Sequence, residues 1–243
     1  MNDYIEKLER IADVHLVKHP AHIVDSTALA FDREKMLAYV QGPKILELGY
    51  GDGDWTKRLI EMFGKSYVVD ASDKLLHHAV QMHGNKVNVF KSMFEAFAPP
   101  PDLKFNTVVA THVLEHVDDP VTVLTRCREW LAPGGIVIVI VPNATSLHRR
   151  LAVMMGIQES VYDFSPRDHE VGHQRVYDLP ALRKDVAMAE FEVIFERGLF
   201  LKVLPNSMMT DFSPALINAL VDISDEMPAE WMANLAMVIR PVG

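Results

Sequence analysis

The chain has 243 residues, a formal net charge of −9 and 49% hydrophobic residues, ordinary values for a globular protein that exclude a fibrous or disordered chain. Its one cysteine, Cys127, excludes an internal disulfide framework and a multi-cysteine zinc site. An acidic chain is poorly suited to neutralising phosphates, so no nucleic-acid partner is expected. No apolar run is long enough to cross a bilayer, and the start MNDYIEKLER lacks a signal-peptide apolar region. A cytoplasmic protein without a membrane partner is the expectation.

In chain order, residues 1–42 predict helices that cover a domain over 43–243. One of them carries Leu29, Met36 and Leu37 and ends near Gly42-Pro43. His15, His19 and His22 read as a solvated face. Residues 44–49 form an apolar run ending in glycine, hence a strand. Trp55, Leu59, Ile60 and Phe63 follow at helical spacing. A second strand over 66–69 closes on Asp70. Ser72-Asp73 then caps a helix to about His83, with His77, His78 and His83 on a solvated face. Strands are predicted over 87–90 and 105–110, separated by the stiff run Ala98-Pro99-Pro100-Pro101. Asp119 and Pro120 give an N-cap and a first-position proline for a helix to Leu131, with Cys127 as a small core residue. Pro133-Gly134-Gly135 reads as a turn. The all-Ile/Val strand 136–141 has the character of a strand covered on both faces.

Residues 143–177 stand out as an insertion, helical at 147–155 and then polar and histidine-bearing. Asp178 and Pro180 open a helix to about Glu190. A β pattern over 191–203 is interrupted at Gly198, Ser213-Pro214 caps a helix to about Glu226, and 231–240 reads as a last strand. Strands alternating with helices argue for an α/β fold on a parallel sheet.

The chemistry concentrates in Glu47-Leu48-Gly49-Tyr50-Gly51-Asp52-Gly53-Asp54, between the first strand and its helix. Glycines there allow a sharp turn and a close ligand approach. Asp70 ends the next strand, where a carboxylate accepts hydrogen bonds from both hydroxyls of a ribose. Together these predict an adenosine-type ligand at the carboxyl edge of the sheet. The spacing is G-x-G-x-G, and Asp54 stands where a dinucleotide fingerprint has its third glycine. Asp52 and Asp54 would repel a pyrophosphate, which disfavours the alternative of an NAD-linked oxidoreductase.

These residues resemble the first motif of class I S-adenosylmethionine-dependent methyltransferases. Val68-Val69-Asp70-Ala71-Ser72 resembles the second-strand acidic motif of that family. Residues 105–117 resemble the fourth-strand segment, with Asn106 where aspartate is common. Leu131-Ala132-Pro133-Gly134-Gly135-Ile136 resembles the turn before the fifth strand, and 231–240 the antiparallel seventh strand. The resemblance implies a Rossmann-like sheet of order 3-2-1-4-5-7-6, helices on both faces, and methyl transfer by in-line displacement. The implied cofactor is S-adenosyl-L-methionine, leaving S-adenosyl-L-homocysteine. It would lie against Glu47, Gly49, Gly51, Gly53, Trp55, Asp70, Ala71 and Thr111. Met93 stands where the family often has an adenine-binding aspartate, so Met93 and Phe94 would hold adenine through backbone and apolar contact, or Glu95 would substitute for the aspartate. The intact Gly49, Gly51, Gly53 and Asp70 set speaks against a non-catalytic partner protein with a degenerate cofactor fold.

The acceptor is expected to be a small polar, possibly anionic metabolite methylated on oxygen or nitrogen. His112 and His173 are the candidate general bases. Arg149, Arg150, Arg167, His169, Arg175 and Tyr177 are the candidate acceptor-binding residues, because arginine clamps carboxylate or phosphate in bidentate fashion. Four acids in that segment offset its four arginines, and Met208-Met209 could line a greasier pocket. His112, Glu115 and His116 spell an inverted zinc-protease pattern. Asp118-Asp119-Pro120 argues against the continuous helix it requires, and the sequence marks no third ligand, so no metal is expected. Monomer and dimer are both left open.

Overall fold

Side-chain caps decide where the helices begin. Ser72 accepts from the Leu75 N–H and opens α4 (Asp73–His83). Asp119 accepts from Val121 and Thr122 and opens α5 (Pro120–Trp130) with proline at its first turn. Asp178 and Ser213 do the same for α8 (Leu179–Met188) and α9 (Pro214–Ile223). The remaining helices are α1 (Asn2–Leu16), α2 (Ile23–Leu37), α3 (Asp54–Phe63), α6 (Leu147–Met154) and α7 (Pro166–Val171). The computed structural model describes residues 2–16, 23–205 and 208–243. The readings of His15, His19 and His22 lie outside the residues and side chains described.

The seven strands are β1 (Ile45–Leu48), β2 (Ser66–Asp70), β3 (Val87–Lys91), β4 (Phe105–Thr111), β5 (Leu131–Pro142), β6 (Phe191–Leu199) and β7 (Asn234–Pro241). They form one sheet in the order β3-β2-β1-β4-β5-β7-β6, with β7 antiparallel to both neighbours and β1 to β5 parallel, as expected. The alternation along β5 explains its composition. Val137, Val139 and Val141 face Leu124, Trp130 and Leu182 on one side. Ile136, Ile138 and Ile140 face Met36 and Leu199 on the other. Both faces are dry, so no polar residue is tolerated on either.

Several boundaries differ from the sequence reading. The turn at Pro133-Gly134-Gly135 is a bulge inside β5, where the pairing jumps from Phe105↔Leu131 to Thr107↔Ile136. A Cβ on Gly135 would lie 3.0 Å from the Phe105 carbonyl oxygen, a close approach that favours glycine there. Gly198 does not interrupt β6; it admits the Ala229 carbonyl, 2.5 Å from where a Cβ would stand. β6 ends at Leu199 because Phe200 turns left-handed at φ 59°. α9 stops at Ile223 and tightens into a 3₁₀ turn over Ser224–Glu226, and β7 begins only at Asn234. His77 is exposed as expected, but His78 and His83 turn their rings onto Tyr50. Among the described residues no helix is long and apolar enough to cross a membrane.

α1 and α2 lie over the carboxyl ends of the strands. Ala12 packs with Tyr50 and Leu75. Glu9 accepts from the Asp73 N–H at 2.7 Å and from the Ser72 hydroxyl at 2.9 Å, so its carboxylate sits on the N-terminus of α4.

Candidate active site

A cavity of about 1350 Å³ opens at the carboxyl edge of the sheet. Its walls come from the glycine loop, the ends of β2, β4 and β5, both N-terminal helices and the 143–177 segment. Open α/β sheets bind ligands at this edge because the loops there diverge.

Gly49, Gly51 and Gly53 all have left-handed φ, at 76°, 56° and 79°. Gly51 meets nothing within 4 Å of a notional Cβ and leaves its backbone open to the cavity. Gly53 is glycine for a different reason. A Cβ there would fall 2.3 Å from the Tyr50 hydroxyl, whose ring fills the space behind the loop. Tyr50 is pinned by its hydroxyl to His83 Nε2 at 3.2 Å. Gly53 is therefore not a wall residue of the cavity but the support of one.

Asp70 is held by backbone donors. Tyr50 N–H binds Oδ2 at 2.9 Å and Ser72 N–H binds Oδ1 at 2.8 Å. The residue lines the cavity. Burial pushes its pKa up, and the backbone N–H groups oppose that. Glu47 is buried beneath the loop and accepts from the Thr56 hydroxyl; burial raises its pKa well above the usual range. Ala71, Met93, Phe94 and Thr111 line the same wall. Trp55 lines it too, packed against Leu59 and Ile138. Asn106, in place of the usual aspartate, accepts from the Lys44 N–H at 3.1 Å.

The end of β4 carries the second half of the site. His112 turns left-handed at φ 55°, which breaks the H-x-x-E-H run out of any helix. Its Nδ1 lies 3.3 Å from Glu115 Oε1. Glu115 is fully buried. Burial alone would raise its pKa, but the hydrogen bond to His112 and the charges of His116, His112 and His173 take it below the usual range. His173 reaches in from the 143–177 segment, its Nε2 4.0 Å from Glu115 Oε1 and its Nδ1 2.7 Å from Asp168 Oδ1. Ligand-type atoms of Glu115, His116 and His173 lie within 4.8 Å of one another. Asp168 is also the capping-box residue of α7. Burial would raise it, but His173, Arg149 and Ser165 hold it well below the carboxylate range.

The candidate acceptor residues divide. Arg149 and Arg167 line the cavity. Arg149, however, is buried and spends its donors on Asp168 and on the Val161 and Asp163 carbonyls. Arg167 pairs with Glu170. The other four do not line the cavity. Arg150 binds the Thr145 carbonyl from an exposed position. Arg175 donates to the carbonyls of Leu114, Val117 and Asp118. His169 packs edge-on against Phe164. Tyr177 is buried, with its hydroxyl on Asp185 at 2.8 Å. Backbone carbonyls claim the two arginines, a neighbouring ring takes His169, and the Asp185 carboxylate takes Tyr177. Two wall residues carried no signal in the sequence reading. Asp32, on α2, is 1% exposed and accepts from Asn234; burial lifts its pKa to about 7 against the opposing pull of His112. His148 is kept neutral by burial and by the nearby Lys202.

A methyltransferase-domain family matches residues 17–196. The chain belongs to that family. It is 33% identical over 140 residues to the ubiquinone biosynthesis O-methyltransferase of Nitrosospira multiformis, covering 54% of this chain and 57% of that protein. The chain spans about half the length of the first curated relatives it matches. A Thermotoga maritima S-adenosylmethionine-dependent methyltransferase, a possible histamine N-methyltransferase, aligns at TM-score 0.62 and 17% identity over 91% of this chain and 92% of its own. The complex of DhpI with S-adenosylhomocysteine aligns at TM-score 0.60 and 17% identity over 99% and 98%. At these identities the structures establish the fold. For a methyltransferase-domain chain the cofactor is S-adenosylmethionine, and the residues present fit it. Asp70 presents to the cavity a carboxylate fixed by backbone donors, Gly51 exposes bare backbone, and the acids Asp52 and Asp54 line the same cavity.

Proposed function

We propose that the protein methylates a hydroxyl oxygen on a small polar molecule. The bound cofactor supplies a methyl group activated by a sulfonium charge. A hydroxyl is a poor nucleophile until its proton is removed, whereas an amine or carboxylate needs no such help. The observation that carries the reading is His112, oriented by Glu115 at 3.3 Å, in the same cavity as the glycine loop. With Nδ1 engaged by the carboxylate, Nε2 is the nitrogen that takes the proton. His173 lies across from it, fixed by Asp168. O-methylation is also the chemistry named in the relatives. The arginines give only limited support to an anionic acceptor, since Arg149 is already neutralised by Asp168. The reaction takes place with the acceptor held between His112 and the 143–177 segment.

The test is product analysis by mass spectrometry, with S-adenosylmethionine and a panel of phenols, aliphatic alcohols, amines and carboxylates. The expected result is a one-methyl mass gain on hydroxyl compounds only, with His112→Ala losing roughly 100-fold or more in kcat. Methylation confined to amines or carboxylates would overturn the reading.

A further inference from the structure

We propose that Asp32 selects the acceptor, and that the acceptor is a cationic amino alcohol whose ammonium group sits on this carboxylate while its hydroxyl faces His112. The fate of the hydroxyl rests on the O-methylation reading; the binding of the ammonium does not.

Asp32, on α2, lines the cavity together with His112 and with Asn234 at the start of β7. It is 1% exposed. Asn234 Nδ2 donates to its Oδ2. Its Oδ1 is buried and has no hydrogen-bond partner among the described residues. A buried carboxylate oxygen left without a partner is costly, and an amide cancels none of the charge. The charged groups that act on Asp32 are His112 and Arg197, and Arg197 is already paired with Asp225. An ammonium group brings both the missing donor and the missing charge. The terminal torsion of an aspartate is soft, so Oδ1 turns readily to a group entering the cavity.

The rest of the wall favours the same sign of charge. Arg149 pairs with Asp168 at 2.7 Å, and Arg167 with Glu170 at 2.7 Å. Arg33 has Asp54 at 3.5 Å and Glu34 at 3.6 Å. Lys202 acts on His148. An anionic acceptor would find these arginines engaged by acids and would meet Asp32 besides. The neighbours of Asp32 along the wall are apolar. Leu29 lies one turn earlier on α2, and Ala233, next to Asn234, donates its N–H to the Phe200 carbonyl at 2.8 Å. All three residues line the cavity. A hydrocarbon or aromatic body between the ammonium and the hydroxyl fits such a wall, and low polarity around an ion pair strengthens it.

The pairing also directs the methyl. A nitrogen held as ammonium has no lone pair and cannot accept it, which leaves the hydroxyl oxygen beside His112 as the nucleophile.

The test uses the full-length protein saturated with S-adenosylhomocysteine at pH 8, where Asp32 is ionised because its pKa is about 7. Calorimetric titrations compare tyramine, tyrosol and para-hydroxyphenylacetate, phenols with an ammonium, a hydroxyl or a carboxylate tail, and the aliphatic set aminopentanol, pentanediol and hydroxypentanoate. In at least one set the ammonium compound should bind roughly 10-fold or more tightly than the other two. Asp32→Asn should abolish that preference with the S-adenosylhomocysteine Kd unchanged, which shows that the variant is folded. A carboxylate serving the fold alone would leave the preference intact. No ammonium preference in either set, or an equal preference in wild type and Asp32→Asn, overturns the assignment. Turnover with S-adenosylmethionine, read by tandem mass spectrometry, separates the two readings. An ammonium preference that depends on Asp32, with no methyl gained on oxygen, keeps the binding role of Asp32 and removes the O-methylation reading.

Discussion

Asp168 ties Arg149 to His173: one carboxylate oxygen accepts from Arg149 Nη2 and the other from His173 Nδ1, both at 2.7 Å. Arg149 is on α6 and Asp168 on α7, so the bridge fixes the insertion as well as the histidine ring. Removing one partner of a buried pair strands the other, at about 3–5 kcal/mol. Asp168→Ala should lower the melting midpoint by roughly 6–20 °C for a chain of this size. A calorimetric scan showing no shift would mean that Arg149 finds water or another acceptor.

The ribose assignment predicts a loss confined to the cofactor. Asp70→Ala should weaken S-adenosylhomocysteine by about 1–3 kcal/mol, which is roughly 5–150-fold, as hydrogen bonds to both hydroxyls are lost. Isothermal titration reads this directly. An unchanged Kd would move the ribose elsewhere.

Arg175 gives the opposite kind of prediction. Its guanidinium closes three backbone carbonyls after β4. Arg175→Ala should cost about 1 kcal/mol or more of stability, since three carbonyls, two of them in part-buried bonds, lose a charged donor. Urea unfolding should show it, while the acceptor KM stays near wild type. A raised KM at full stability would restore the residue to the acceptor pocket.

Asp32 makes stability depend on pH in a direction unusual for an acid. Its folded pKa is about 7 against an ordinary value of 3.8. The folded state therefore binds more protons than the unfolded state between those values, and stability falls as pH rises through that window. Asp32→Asn removes the ionisation. It should exceed wild type by up to about 4 kcal/mol at pH 8, with the gap closing toward pH 4. Urea titrations at the two pH values test the sign.

What could be read in advance followed from backbone demands. The glycine loop, Asp70 and the strand order were legible because a left-handed turn, a strand end and an all-apolar β5 each leave a local mark. Side-chain direction does not. Arg150, Arg175 and Tyr177 are polar residues in the right segment, yet nearby carbonyls and Asp185 claim them. Asp32 faces His112 only because α2 folds over the sheet edge, and nothing in its neighbours along the chain marks it. The same holds for His173, whose meaning depends on Asp168 and Glu115 together.

The grip of Glu9, on the covering helix α1, upon Ser72 and Asp73 reaches the cofactor site. The amide of Ser72 is one of the backbone donors that hold Asp70. The cover and the ribose carboxylate therefore share a single turn of chain. Glu9 therefore bears on the seat of the cofactor through the chain, although it does not itself line the cavity.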